Sequence, residues 1–171
     1  MRRFAFFAPL AATLALAAVA EAEPNNQPRT AAPTVTVTIG GDLSDDVEKL
    51  GRRDVDEQVD GLVRSVEREL ARSGALSGAQ VNLVLTDLKP NRPTFQQASD
   101  KPGLSIFDSI SIGGATIEGE VITAEGERLP VRYSRYSNNI TDVFGFSTWW
   151  DADRAFDSFA SNLSHGRPVY R

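Results

Sequence analysis

Glu118 and Glu120 alternate along an extended stretch, which sets their carboxyls ~7 Å apart on one strand face. That is near the separation of the acid and base of an inverting glycosidase. The same alternation describes a solvated strand face, and Arg132 stands opposite Glu118 in the hairpin register derived below. No aromatic platform for a sugar ring accompanies the pair. His165 is the single histidine, between Ser164 and Gly166. A Ser-His-Asp triad would need a serine on a constrained elbow such as Gly-x-Ser-x-Gly, which the chain lacks. A histidine near a helix C-terminus is accounted for by the helix dipole. The chain has no cysteine, which excludes a disulfide scaffold, a thiolate metal site, a Cys nucleophile and an acylated cysteine anchor. Asp42, Asp45 and Asp46, or Asp151 and Asp153, lack the glycine and terminal glutamate of a Ca²⁺ loop and read as helix caps. Gly40-Gly41 and Gly113-Gly114 lack a following Lys-Ser/Thr and read as turns rather than phosphate loops. No cofactor, metal or catalytic residue is expected.

Two features point to binding instead. Trp149 and Trp150 are adjacent, and neighbouring helical residues point about 100° apart, so both cannot enter one core face. At least one lies at the border of the core, where an indole is either a binding anchor or a lid over the core edge. Lys89, Arg92 and Lys101 place positive charge along a Pro-rich stretch of a chain whose net charge is −5, which reads either as solvated loop charge or as a local field for acidic partners. The expected interface is therefore Trp149, Trp150, Lys89, Arg92 and Lys101. The acidic balance, 23 Asp plus Glu against 18 Lys plus Arg, argues against nucleic acid as a partner.

The elements that would position these residues follow from periodicity. Thr34 to Ile39 alternates strictly, a half-buried strand closed by Gly40-Gly41. Asp42 to Gly51 is polar, with a short helical turn over Asp46 to Leu50. From Asp54 the spacing turns helical: Val55, Val59, Leu62 and Val66 make one stripe, widened by Val63 and Leu70. Asp54 with Glu57 reads as a capping box and Gly74 as the stop. Gln80 to Leu88 is a strand with apolar residues on both faces, hence interior to its sheet. Residues 89–103, with three prolines, read as a long loop of functional interest. Leu104, Ile106, Ile110 and Ile112 alternate with Ser105, Phe107, Ser109 and Ser111 as a further strand, with a bulge or break near Asp108.

A hairpin follows with a derivable register. A three-residue loop Ala124-Glu125-Gly126 gives Gly126 the left-handed position. Ile117 then faces Tyr133, Gly119 faces Val131 and Val121 faces Leu129, while Glu118 meets Arg132 on the other side. Residues 137–147 form a second loop anchored by Val143, Phe144 and Phe146. A last helix is capped by Thr148 with Asp151 and buries Ala152, Phe156, Phe159 and Leu163, ending at Gly166 and Pro168. The order β-α-β-β-β-β-α predicts an α+β fold: a mainly antiparallel sheet of about five strands with two helices packed on one face.

The N-terminus has its own logic. Arg2 and Arg3 precede an uncharged run from Phe4 to Val19, about 16 residues, shorter than the roughly 20 needed to span a bilayer. It ends in Ala18-Val19-Ala20 and Ala20-Glu21-Ala22, the small-residue sites of a secretory signal peptide. Cleavage after Ala20 or Ala22 leaves a flexible tether to residue 33 and one domain over 34–171. No stable membrane insertion is expected after cleavage. Two glycosylation triplets, at Asn139 and Asn162, read as chance matches.

With signal segment, tether, strand, long helix, Leu-rich strand, the loop Lys-Pro-Asn-Arg-Pro-Thr (89–94), Ser-Ile-Gly-Gly-Ala (111–115) and a hairpin, the layout resembles small exported, lipoprotein-like bacterial families without an assigned activity. The resemblance implies a periplasmic or secreted location and transfers no site residues. The functional expectation is a soluble, non-enzymatic module of the cell envelope that works by contact with an envelope protein. A small hydrolase using a carboxylate pair, or a binder of small apolar ligands, is the alternative.

Overall fold

All six residues of β1 (Thr34–Ile39) are β-branched, the side chains that suit a pleated surface best. In the computed structural model, which describes residues 31–143 and 147–167, they form an edge strand. The signal segment, the tether up to residue 30, the anchors Phe144 and Phe146 and the terminating Pro168 lie outside those residues. The next element, α1 (Leu43–Leu50), buries Leu43, Val47 and Leu50 at helical spacing and is longer than the predicted turn. α2 (Arg52–Ser73) follows and buries Val55, Leu62, Val66 and Leu70. It starts two residues before the predicted cap: Gly51 is the N-cap residue and no side chain caps the end. Asp54 therefore sits inside the first turn, where burial and the nearby Glu57 carboxylate raise its pKa.

The helices α1 and α2 carry the chain across one sheet face, so β2 (Gln80–Lys89) pairs with β1 in parallel. β2 then turns back through β3 (Gly114–Ile122) and β4 (Arg128–Tyr136), both antiparallel to their neighbours. The sheet is thus a mixed one of four strands in the order β1-β2-β3-β4, not a five-stranded, mainly antiparallel one. The parallel pair goes with the crossover, since parallel neighbours need a connection that returns the chain to the starting end of the sheet.

The missing fifth strand has a local cause. Over residues 104–112 the serines bond the backbone themselves. Ser105 Oγ accepts from the amides of Phe107 (3.2 Å) and Asp108 (3.1 Å), and Ser105 N donates to Ser109 Oγ at 3.2 Å. Such side-chain bonds compete with a ladder and win where no neighbouring strand is available. The preceding stretch is not structureless either, because α3 (Phe95–Asp100) lies inside it. Its start is a capping box: Thr94 Oγ1 accepts from Gln97 N, and Gln97 Oε1 accepts from Thr94 N, each at 3.1 Å.

α4 (Trp150–Ser164) closes the fold beside α2, over β3 and β4. Ala152, Phe156, Phe159 and Leu163 face the sheet and are buried, as their spacing requires. The β3–β4 register is the predicted one at every pair named from the sequence, with Gly126 at φ 86° in its turn. Among the described residues no helix is long and apolar enough to cross a membrane.

Candidate functional site

Four of the seven large apolar side chains left in water among the described residues fall within residues 95–112. Phe95 is 76% exposed and Phe107 78%, with Ile110 and Ile112 also exposed in the same segment. Phe95 opens α3 and Phe107 lies in the serine-bonded turns after it. Between them runs a groove of about 640 Å³. Asp54 from the first turn of α2, Arg92 and Pro93 before α3, Ile106, and Trp149 before α4 complete its walls. The Arg92 guanidinium donates to the Phe107 carbonyl and ties the two sides of the loop together. A second groove, about 320 Å³, lies between Lys89 and Lys101 over Pro90, Pro93, Leu104, Ile110 and Ile112. Pro93 borders both grooves.

Both grooves depend on a buried polar knot at Asn91. Its backbone N–H donates to Thr148 O (2.7 Å) and its carbonyl accepts from Ser111 N (2.8 Å). Its side-chain amide donates to Asp151 Oδ2 (2.6 Å) and Ser111 O (3.2 Å), and its Oδ1 accepts from Asp151 N (2.8 Å). Ser137 Oγ adds a bond to the same Asp151 oxygen at 2.7 Å. Every polar group of the buried asparagine is satisfied, and one residue fastens the loop, the 111 turn and the start of α4 to one another. Asp151 is thereby a partner of Asn91 and Ser137 and not the capping partner of Thr148; no side chain caps α4.

A third cluster stands at the bulge between Leu85 and Asp87. Tyr136 OH donates to Asp87 Oδ2 at 2.6 Å and lies 2.8 Å from Thr116 Oγ1. Lys89 Nζ lies 3.4 Å from the same Asp87 oxygen and 5.3 Å from the Tyr136 ring centre. Burial, and then the bond to Asp87, push the phenol pKa well above tyrosine's ordinary value. Tyr136 is thus a fixed neutral donor, unsuited to act as a base.

The structure divides the five expected interface residues. Arg92 and Trp149 line the larger groove, Lys89 and Lys101 the smaller, and Trp150 lines neither. Trp149 is 8% exposed and Trp150 39%, so one indole enters the core border and the other faces out. Glu118 and Glu120 lie on the sheet face opposite the helices, with Arg132 at 3.2 Å and Arg128 at 2.7 Å respectively. Neither carboxylate borders the two grooves. His165 Nδ1 is 2.7 Å from Ser161 O and 3.1 Å from Ser164 Oγ, and Ser164 donates to Glu69 Oε1 at 3.2 Å. The serine stands between acid and imidazole, whereas a triad needs the imidazole in the middle. Among the described residues no group of three or more His, Asp or Glu could hold a metal ion.

Sequence reasoning passed over Phe95, Phe107 and Asn91. The signal for the phenylalanines was their place outside every apolar stripe: Phe107 falls on the polar side of the alternation, and Phe95 stands alone among polar residues. For α3 the Thr94-x-x-Gln97 pair was the available sign. No protein-family model matches the chain, and no curated protein matches it.

Proposed function

We propose that this protein is an exported, non-enzymatic protein-interaction module of the cell envelope, and that it grips its partner at the end formed by residues 89–112. The observation that carries the reading is the pair of phenylalanines, each more than three-quarters exposed, lining one groove with Trp149. Isolated exposed apolar residues are ordinary, but rigidly mounted aromatics flanking a concave surface mark a recognition site. Covering each phenyl ring contributes about 1.5–3 kcal/mol. Asn91 fastens both ends of the 91–111 segment to the start of α4, which reduces the ordering entropy lost on binding. Lys89 and Lys101 beside the second groove add a positive rim that favours an acidic partner. Export rests on the Arg2-Arg3, apolar run and Ala-x-Ala order of the first 22 residues.

Photo-crosslinking in cells tests the reading, with the probe at position 107 and a control probe at position 127 in the exposed β3–β4 turn. One envelope protein captured at 107 but not at 127, and lost with Phe95→Asp, is the expected result. The same proteins captured equally at both positions, or none at 107, would overturn it.

A further inference from the structure

We propose that the free edge of β1 is a self-association surface, on which a second copy of the chain adds its own β1 antiparallel about a two-fold axis at Val37. Thr34 N donates to Ala79 O and Gly40 N to Leu85 O, both on the β2 side. In a parallel ladder the direction alternates, so the backbone groups of Val35, Val37 and Ile39 point away from the sheet. Among the described residues no strand lies beyond them.

The two sheet edges are treated differently by the sequence. β4 carries Arg128, Pro130, Arg132 and Arg135, the prolines and charges that keep an edge from pairing. β1 has neither, and residues 30–41 contain no charged side chain at all. A two-fold axis sets each residue near its own kind, so like charges on an edge oppose such pairing, and β1 offers none.

The strand is also self-complementary. About Val37, the pairs are Val35 with Ile39, Val37 with Val37 and Thr36 with Thr38, all β-branched and matched face by face. The outward-pointing residues meet one another and exchange both hydrogen bonds. On the core side, Val81, Leu83 and Leu85 of β2 are buried, while Val35, Val37 and Ile39 beside them are only partly so. A second β1 covers that remaining apolar surface and joins two four-stranded sheets into one. Five paired residues a side make a small contact, so the association is concentration-dependent.

Sedimentation equilibrium on the chain recovered from cells tests this. The expected result is a mass that rises from one copy to two with concentration. Thr36→Lys with Thr38→Lys, on the exposed face, should hold the mass at one copy with unchanged circular dichroism, and so should Thr36→Glu with Thr38→Glu. Mixing the two variants should restore the dimer, because lysine then meets glutamate at both positions. A wild-type chain that stays at one copy throughout would overturn the proposal. A dimer indifferent to both double substitutions, or a mixture that fails to pair, would overturn it as well.

Discussion

Asn91 shows how much one side chain can organise. It spends its amide and its backbone on two other segments, the 111 turn and the start of α4, and the residue opposite it, Gly113, has no room for a methyl group. A Cβ there would lie 2.5 Å from Asn91 Oδ1 and 2.7 Å from Nδ2. Asn91→Ala removes a hydrogen bond to a buried carboxylate and should cost about 1.5–3 kcal/mol in urea unfolding. Gly113→Ala should be costly in the wild type and much less so on top of Asn91→Ala, giving a non-additive cycle. Equal costs in both backgrounds would place the strain elsewhere.

Tyr136 supplies the pH dependence at the same scale. Its folded pKa lies above that of the unfolded chain, near 10. The folded state therefore holds its proton where the unfolded state releases it, so stability falls as pH rises through about 10. Tyr136→Phe should remove that alkaline loss while costing about 1 kcal/mol at neutral pH for the bond to Asp87. Melting temperatures measured at neutral pH and in the alkaline range check it. An unchanged slope in the variant would mean that another group titrates.

Among the elements, β3 rests on a glycine that is not a turn residue. A Cβ on Gly119 would fall 2.2 Å from the Asn82 carbonyl oxygen and 2.9 Å from Leu83 Cα, with φ at +149°. At Gly126 nothing lies within 4 Å and only the left-handed φ of +86° resists a side chain. Gly126→Ala should then cost about 1–2 kcal/mol of backbone strain. Gly119→Ala must part β2 from β3 and should lower the melting temperature far more. Comparable melting of the two variants would show that the strands yield easily at that point. Elements also explain which periodic segments formed. Those with a partner to bury against became helix or strand, and 104–112, whose alternation is interrupted at Asp108, did not.

At the scale of the molecule there are two populations of aromatic residue. Phe156 and Phe159 are buried in the single hydrophobic cluster of the described residues, Phe159 with its ring centre 6.0 Å from that of Tyr133. Phe95 and Phe107 contribute almost nothing to it. Phe159→Ala should cost about 3–5 kcal/mol, whereas Phe95→Asp and Phe107→Asp should move stability by no more than about 0.5 kcal/mol. Denaturant unfolding of the four proteins, run beside the crosslinking, separates loss of fold from loss of binding. Phenylalanines at 95 and 107 that proved as costly to remove as Phe159 would belong to the fold and not to an interface.

The sequence by itself determined whatever is local. Helical spacing named the buried stripes of α2 and α4, and alternation with Gly126 fixed the hairpin pairing, Glu118 against Arg132 included, because one-residue slips exchange the faces. Only the tertiary structure decided what crosses long distances in the chain. Asp151 reads as a cap from its neighbours, and 60 residues away Asn91 claims it. Alternation over 104–112 says which residues share a side, but serines there took the backbone groups that a ladder would have used. Phe95 and Phe107 are apolar in any reading. Their value as a site lies in what the fold leaves uncovered, and periodicity carries no information about a missing neighbour.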